Sequence, residues 1–245
     1  MLGLLTYASN ALQHDINIAT NIGKIESSVL QLRRNEKDFL ARKDLKYLDK
    51  FDKNMKGLQQ QVSFLKGDLE NSGLKFDEFS SLQSILTKYD QHFKELVKIQ
   101  QHIGLHAKDG LYGKLRSAVH DVEELIGNDD YKLRSGMLQL RRNEKDFMLR
   151  LDDKYVDRLK NNTIELISIV NNSSFPSEKK SQIVDFLSAY ETGFSNLVTA
   201  QKKIGYHATM GVLAEMKATV HQVDSVLEAL VKKTKQATDD EENFV

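Results

Sequence analysis

Residues 30–39 read LQLRRNEKDF, and the same ten letters return without change at 138–147. A second block of similar sequence follows each copy and contains a tyrosine, two glycines and a Val-His pair. Its matching residues are Tyr89, Phe93, Ile103, Gly104, His106, Ala107, Gly110, Val119 and His120 in the first copy, and Tyr190, Phe194, Ile204, Gly205, His207, Ala208, Gly211, Val220 and His221 in the second. Chance does not produce ten identical positions followed by a second matching block. The chain is therefore a duplication of a unit of roughly 100 residues.

The composition of the 245 residues narrows the fold class. One proline and 13 glycines are too few for the many turns of an all-β sandwich or barrel. The lack of cysteine excludes disulfide scaffolds, thiolate metal sites and cysteine nucleophiles. Basic and acidic residues number 35 each, which leaves no basic surplus for nucleic-acid binding. No apolar run reaches the ~18 residues of a membrane span.

A few segments of polar and glycine residues are expected to end helices, and we call them stops. Between these stops, apolar residues recur at three- and four-residue steps, which predicts helices. The stops lie at 43–44, 71–73, 127–130, 152–153 and 171–176. They predict an all-α fold of six helices, about 5–43, 45–71, 76–127, 131–151, 154–171 and 177–238. The third and the sixth helix are long, and the other four are short.

The helix lengths predict how the six helices pack. A long helix cannot be covered along its length by one short neighbour, so we expect two stacked four-helix bundles. Each bundle would contain two short helices and half of each long helix. The single domain 1–245 would then hold one module of about 1–103 plus 206–245 and another of about 104–205.

The repeated segment carries an acidic residue inside an apolar stripe. Glu36 falls near the centre of that stripe, and a buried carboxylate without a partner is costly. One interpretation is an internal Arg33–Glu36 ion pair that fixes the helix register. The other is a ligand site, because one glutamate cannot neutralise three neighbouring cations and guanidinium groups bind carboxylates in a bidentate way. The cations are Arg33, Arg34 and Lys37, repeated as Arg141, Arg142 and Lys145.

The second block supplies groups that would face the motif. Gln100 and Gln201 fall on the apolar face of the two long helices, and the small residues after them would permit close helix approach or leave a pocket. Arg116 and Lys217 occupy matching positions on the flanks of those helices. Each module would hold motif arginines plus one cation from a long helix. The candidate ligand-binding residues are Arg33, Arg34, Gln100, Lys217, Arg141, Arg142, Gln201 and Arg116.

No metal site, cofactor site or catalytic centre is predicted. His102 and His106 have the spacing of a helical metal pair, but the second copy has Lys203 in place of His102 and no third ligand is evident. The sequence contains no glycine-rich phosphate loop, serine elbow or HExxH motif. We therefore expect a binding function and no enzymatic activity.

The doubled LRRNEKDF, each copy followed by Ile-Gly, His-Ala, Gly and Val-His, resembles the helical bimodular sensor domain over roughly 20–235. That family forms the periplasmic ligand-binding region of bacterial methyl-accepting chemotaxis receptors, anchored in the inner membrane, and of some sensor histidine kinases. The resemblance implies two stacked four-helix bundles, with a membrane-proximal module that contains both chain ends. It implies recognition of small carboxylates such as C4-dicarboxylates, citrate or acetate, with up to one site per module. It also implies flanking membrane helices, homodimeric pairing and signal transmission along the long helices.

A second function stays open beside direct carboxylate binding. Some relatives sense through a periplasmic binding protein, so the chain could be the interaction module of a sensor histidine kinase. Saturation of the motif arginines by internal glutamates would favour that function. The exchange of Arg116 for Lys217 implies that the two modules need not bind the same acid.

Overall fold

The computed structural model describes residues 2–243, apart from the side chains of residues 238, 241 and 242. The expected domain range of 1–245 includes residues 1, 244 and 245, which lie outside the described residues. The described chain is 86% helix and has no strand, so the all-α class is confirmed. Its helices are α1 (Leu2–Arg42), α2 (Lys46–Asn71), α3 (Glu78–Ile103), α4 (Gly110–Ile126), α5 (Tyr131–Arg150), α6 (Asp153–Asn171), α7 (Ser177–Ile204) and α8 (Gly211–Glu242).

The prediction of six helices, two of them long, is wrong, because the described residues form eight. The expected helix 76–127 is divided into α3 and α4, which are separated by residues 104–109. The expected helix 177–238 is divided in the same way into α7 and α8, separated by residues 205–210. The expected signal transmission along the long helices assumed two uninterrupted helices, which the described residues do not form.

Two glycines of the second repeated block cause the breaks. Gly104 has φ +131° and Gly205 has φ +111°, which are backbone conformations that side-chain-bearing residues rarely adopt. A Cβ atom at Gly104 would lie 2.4 Å from the carbonyl oxygen of Asp109, and one at Gly205 would lie 2.0 Å from that of Met210. The repeated glycines thus provide the tight backbone conformation that ends one helix before the next begins. They do not lie on a helix face, as the sequence analysis assumed.

The other helix ends agree with the predicted stops. Two helices, α5 and α6, follow an aspartate whose side chain accepts a hydrogen bond from a backbone N–H group of the first turn. The carboxylate of Asp130 accepts a hydrogen bond of 3.2 Å from the backbone N–H of Leu133. The carboxylate of Asp152 accepts one of 2.9 Å from the N–H of Lys154. Short polar stops of this type were readable in the sequence because capping residues are local signals.

The chain divides into two compact units. The first unit comprises the chain up to Glu95 together with the chain from Ala214 onward, and so contains α1, α2, most of α3 and most of α8. The second unit is Leu96–Leu213 and contains α4, α5, α6 and α7. The divisions fall inside α3 and α8, whereas the sequence placed them near 103 and 206. Each unit is bundle-like, with four helices around an apolar interior.

Aromatic rings form the centre of the first unit. Phe51 stacks on Phe93 with ring centroids 4.1 Å apart, and Phe39 meets Phe93 edge-on at 5.8 Å. Tyr89 meets Phe51 edge-on at 5.4 Å. These rings join α1, α2 and α3 through residues at helical spacing, which fixes the height at which the three helices face one another.

The second unit repeats part of this arrangement. Phe147 meets Phe194 edge-on at 5.3 Å, as their counterparts do in the first unit. Leu159 takes the place of the central phenylalanine, and Tyr206 from the segment after α7 contacts Phe147 at 5.8 Å. Both cores therefore position the last residue of the repeated motif in the same way.

Candidate functional site

Nine of the ten repeated residues have the same exposure in both copies, and the exception is Gln31, which is half-buried, whereas Gln139 is exposed. Leu32, Asn35 and Phe39 are buried, and their counterparts Leu140, Asn143 and Phe147 are buried as well. The residues that stand exposed in both copies are Leu30, Arg34 and Lys37, with Leu138, Arg142 and Lys145. The motif therefore presents one face to the core of each unit and another to solvent.

The half-buried glutamate of each motif is hydrogen-bonded to a tyrosine of the second block. The hydroxyl of Tyr89 on α3 donates to Glu36 Oε2 on α1 at 2.6 Å. The hydroxyl of Tyr190 on α7 donates to Glu144 Oε2 on α5 in the same way. The sequence predicts Arg33 as the partner that Glu36 needs, whereas the structure places the hydroxyl of Tyr89 in that role.

Burial raises the pKa of Glu36 above its ordinary value, and the hydrogen bond from Tyr89 and the charge of Arg33 offset part of that effect. The pKa of Glu144 is raised for the same reason and is partly offset by Tyr190 and Arg141. The pKa values of both tyrosines lie well above their ordinary range because of burial and the adjacent carboxylate. Each tyrosine therefore keeps its proton and remains a donor.

The two motif arginines have different surroundings. Arg141 Nη1 lies 3.2 Å from Glu123 Oε1 of α4, and both side chains are 38% exposed. Arg33 is also half-buried, but among the described residues no carboxylate lies within ion-pair distance of it. The repeat places Asp224, which is exposed and one methylene shorter, at the position of Glu123. The first unit thus leaves its arginine without the partner that the second unit provides.

The remaining predicted residues differ in exposure and in their hydrogen-bond partners. Arg34, Arg142, Arg116 and Lys217 are exposed. Gln100 is 4% exposed, belongs to the second unit, and donates from Nε2 to the carbonyl oxygen of Gly104 at 2.9 Å. Its amide therefore closes the end of α3. Gln201 is half-buried, and its backbone carbonyl accepts from Gly205.

Sequence reasoning missed two buried asparagines. Asn35 and Asn143 are each 2% exposed, and the Nδ2 atom of each has no hydrogen-bond partner in the described protein. The carboxamide oxygen of Asn143 accepts from Gln139 Nε2 at 3.4 Å, which leaves Nδ2 as the free group. An asparagine at a core position of the repeated motif was the available signal.

Surface cavities occur in both units. One of 430 Å³ is lined by residues near the α2–α3 connection, including Leu69, Phe76 and Phe79. Another of 300 Å³ lies between α5 and α6 beside Tyr131 and Leu166. Neither of these two cavities is lined by any of the eight predicted residues, although Gln139, the hydrogen-bond partner of Asn143, lines the second.

The histidine pair considered for metal binding is not helical. His102 lies near the end of α3, whereas His106 falls in the break, and both side chains are exposed. The i,i+4 geometry on which the pair depended is therefore absent.

Comparison of the chain with protein-family models, with characterised proteins and with solved structures finds no match. Among the described residues, no helix combines the length and the apolar character needed to cross a membrane. The repeated Arg–Glu–Tyr cluster is thus the feature on which a functional proposal depends.

Proposed function

We propose that this chain is the extracytoplasmic sensor domain of a bacterial receptor of the chemotaxis class, and that it binds a small carboxylate at Arg33. The receptor would lie in the inner membrane through helices flanking this chain, with the domain in the periplasm. The doubled motif supports the class of protein. The observation that carries the binding site is the half-buried Arg33 beside Glu36, without an ion pair from another helix.

Charge balance in the first unit favours an external carboxylate. Burial raises the pKa of Glu36, so a negative charge on this carboxyl beside Arg33 is disfavoured. A ligand carboxylate can accept two parallel hydrogen bonds from a guanidinium group, which is the strong geometry for such a pair. The exposed Arg34, on the next position of α1, adds positive potential that attracts an anion.

In the second unit, the corresponding arginine already forms an ion pair with a carboxylate of the protein. Glu123 takes the place that a ligand would need at Arg141, since it lies 3.2 Å from Nη1. We therefore expect one carboxylate site per chain, in the first unit, and weaker or no binding in the second.

Calorimetric titration with succinate, malate, citrate and acetate at fixed pH and ionic strength tests this function. Arg33→Ala should weaken binding of the active acid by roughly tenfold to a hundredfold, as expected for loss of a charged hydrogen-bond donor. Arg141→Ala is the matched control and should leave the affinity unchanged. Glu123→Gln should release Arg141 and add a second, weaker binding event.

Two results of these titrations would contradict the proposal. Equal affinity in wild type and Arg33→Ala for every acid that binds would exclude Arg33 as the site. No heat and no rise in melting temperature with any of these acids would count against direct carboxylate sensing.

The alternative function, an interaction module that reads a periplasmic binding protein, has its own support. The exposed motif residues Leu30, Arg34 and Lys37 recur unchanged as Leu138, Arg142 and Lys145, although exposed positions bear no packing constraint. Leu30 is 66% exposed and Leu138 is 62% exposed. Leu30→Ser with Leu138→Ser should weaken capture of a binding protein while leaving carboxylate affinity intact, because neither leucine carries charge near Arg33. Loss of carboxylate binding alone would instead favour direct sensing.

Homodimeric pairing is proposed through α1. Leu5, Leu12 and Ile16 are 68%, 61% and 50% exposed and recur on one face of the helix at seven- and four-residue steps. Leu12→Ser with Ile16→Ser should shift sedimentation at high concentration toward the monomer, whereas Phe64→Ser, an equally exposed apolar residue on α2, should not. A monomer at all concentrations in the wild type contradicts pairing of this chain.

A further inference from the structure

We propose that His92, Glu95 and Glu215 form a binding site for one divalent transition-metal ion in the first unit. His92 and Glu95 lie one turn apart on α3, and Glu215 lies on α8. Nδ1 of His92 is 3.2 Å from Oε2 of Glu215. One donor atom from each of the three side chains lies within 4.8 Å of the other two.

These distances suit a small ion bound by nitrogen and oxygen. Bonds of about 2.1 Å from zinc to imidazole nitrogen and carboxylate oxygen place tetrahedral ligand atoms about 3.4 Å apart. The His92–Glu215 distance already matches that spacing. Glu95 and Glu215 are exposed, so their side chains can rotate to close the remaining gap. A mixed imidazole and carboxylate set favours zinc, cobalt, nickel or manganese over calcium or magnesium.

Electrostatics gives a reason for a cation at this position. The two glutamates repel each other when their oxygens approach within 4.8 Å, and this repulsion opposes their close placement. A divalent ion would neutralise both carboxylates and connect α3 to α8. The fourth coordination position would be left to water.

The second unit lacks all three ligands and so provides an internal comparison. The repeat places Gly193 at the position of His92, Asn196 at that of Glu95 and Lys114 at that of Glu215. The surrounding aromatic and aliphatic residues of the block are retained in both copies. The metal-binding set is therefore a feature of the first unit, and the expected stoichiometry is one ion per chain.

Titration of Zn²⁺ and Co²⁺ into the tag-free, chelator-treated chain tests the site. Calorimetry should show one equivalent of Zn²⁺, and Co²⁺ should develop the visible absorption of a low-coordinate nitrogen and oxygen site that Zn²⁺ then abolishes. His92→Ala and Glu215→Gln should each weaken Zn²⁺ binding by roughly tenfold or more, because each removes one of only three protein ligands.

His221→Ala is the matched control, since it removes an exposed histidine from α8 in the same unit. It should leave Zn²⁺ affinity and the Co²⁺ spectrum unchanged. Far-ultraviolet circular dichroism would confirm that each variant retains its helices. Unchanged Zn²⁺ affinity in His92→Ala, or the absence of saturable uptake at one equivalent in the wild type, overturns the proposal.

Discussion

Tyr89 donates a hydrogen bond of 2.6 Å to Glu36, and this bond links the two repeated blocks of the sequence within one unit. The counterpart bond between Tyr190 and Glu144 does the same in the other unit. A buried carboxylate is tolerated in an apolar interior only when its lone pairs are satisfied. The retention of both blocks after duplication therefore has a physical basis, because each provides what the other needs.

Removal of the tyrosine hydroxyl should destabilise the first unit. Tyr89→Phe keeps the ring packing against Phe51 but leaves Glu36 buried without its donor. The free energy of unfolding should fall by about 1–3 kcal/mol, the cost of leaving a buried polar group unsatisfied. Urea unfolding at neutral pH, followed by circular dichroism, measures the change.

The corresponding variant in the other unit is a stringent comparison. Tyr190→Phe should have an effect of similar size, since Glu144 is buried to a similar degree and makes the same bond. Tyr131→Phe, which alters a tyrosine that is 84% exposed, should change the free energy of unfolding by less than about 0.5 kcal/mol. A Tyr89→Phe variant as stable as Tyr131→Phe would show that the buried bond contributes nothing.

The raised pKa values of Glu36 and Glu144 predict a pH dependence with a definite sign. The ordinary value is 4.5, and the folded protein holds these protons to higher pH than the unfolded chain does. Because the folded state then binds more protons, the stability that these groups contribute is lost as pH rises above 4.5 through the folded pKa. The wild type should therefore lose stability relative to Glu36→Gln with Glu144→Gln over that window.

The comparison is made by denaturant unfolding of both proteins between acid and neutral pH. All other titrating groups are common to the two chains, so the difference between their curves isolates the two glutamates. A difference that is constant with pH would mean that neither pKa is shifted by folding. A difference of opposite slope would mean that the arginines outweigh burial.

The helix breaks predict that Gly104 and Gly205 cannot be replaced without a loss of stability. Gly205→Ala would place Cβ 2.0 Å from the carbonyl oxygen of Met210 at a φ of +111°, and a positive φ in a non-glycine residue costs about 1–3 kcal/mol. The melting temperature should fall accordingly. Gly57→Ala in α2, where nothing lies within 4 Å of the added carbon, should raise stability by about 0.5–1 kcal/mol. Equal effects of the two substitutions would mean that the break is not a requirement of the fold.

Signals that act over a few neighbouring residues were enough to predict much of the fold. Features that depend on contacts in the folded chain could not be predicted from the sequence. The all-α class and the stops near Asp130 and Asp152 follow from helical periodicity and capping residues, which act over one turn. The breaks at Gly104 and Gly205 were missed because an isolated glycine inside a helical pattern costs only about 1 kcal/mol, and the apolar spacing resumes beyond it. A positive φ leaves no separate mark in the sequence.

The candidate site shows the same limit. The need of Glu36 for a partner was apparent from its place in an apolar stripe. Its partner Tyr89 comes from another helix, 53 residues away, so only the packing of α1 against α3 reveals it. The different surroundings of Arg33 and Arg141 likewise depend on whether Glu123 or Asp224 lies nearby. Identical motifs can therefore carry different chemistry in the two units.

The orphan amide of Asn35 yields a further prediction. Its side chain is 2% exposed and its Nδ2 atom has no partner, so burial of this group opposes folding. Asn35→Leu has nearly the same shape and removes the unpaired donor, and it should raise the free energy of unfolding by about 1–3 kcal/mol. Asn161→Leu, at an exposed position of α6, controls for the higher helix propensity of leucine and should contribute only a few tenths of a kcal/mol. Equilibrium unfolding in urea measures the stability of both variants. A loss of stability in Asn35→Leu would show that the amide is satisfied in solution by a bound water or ligand.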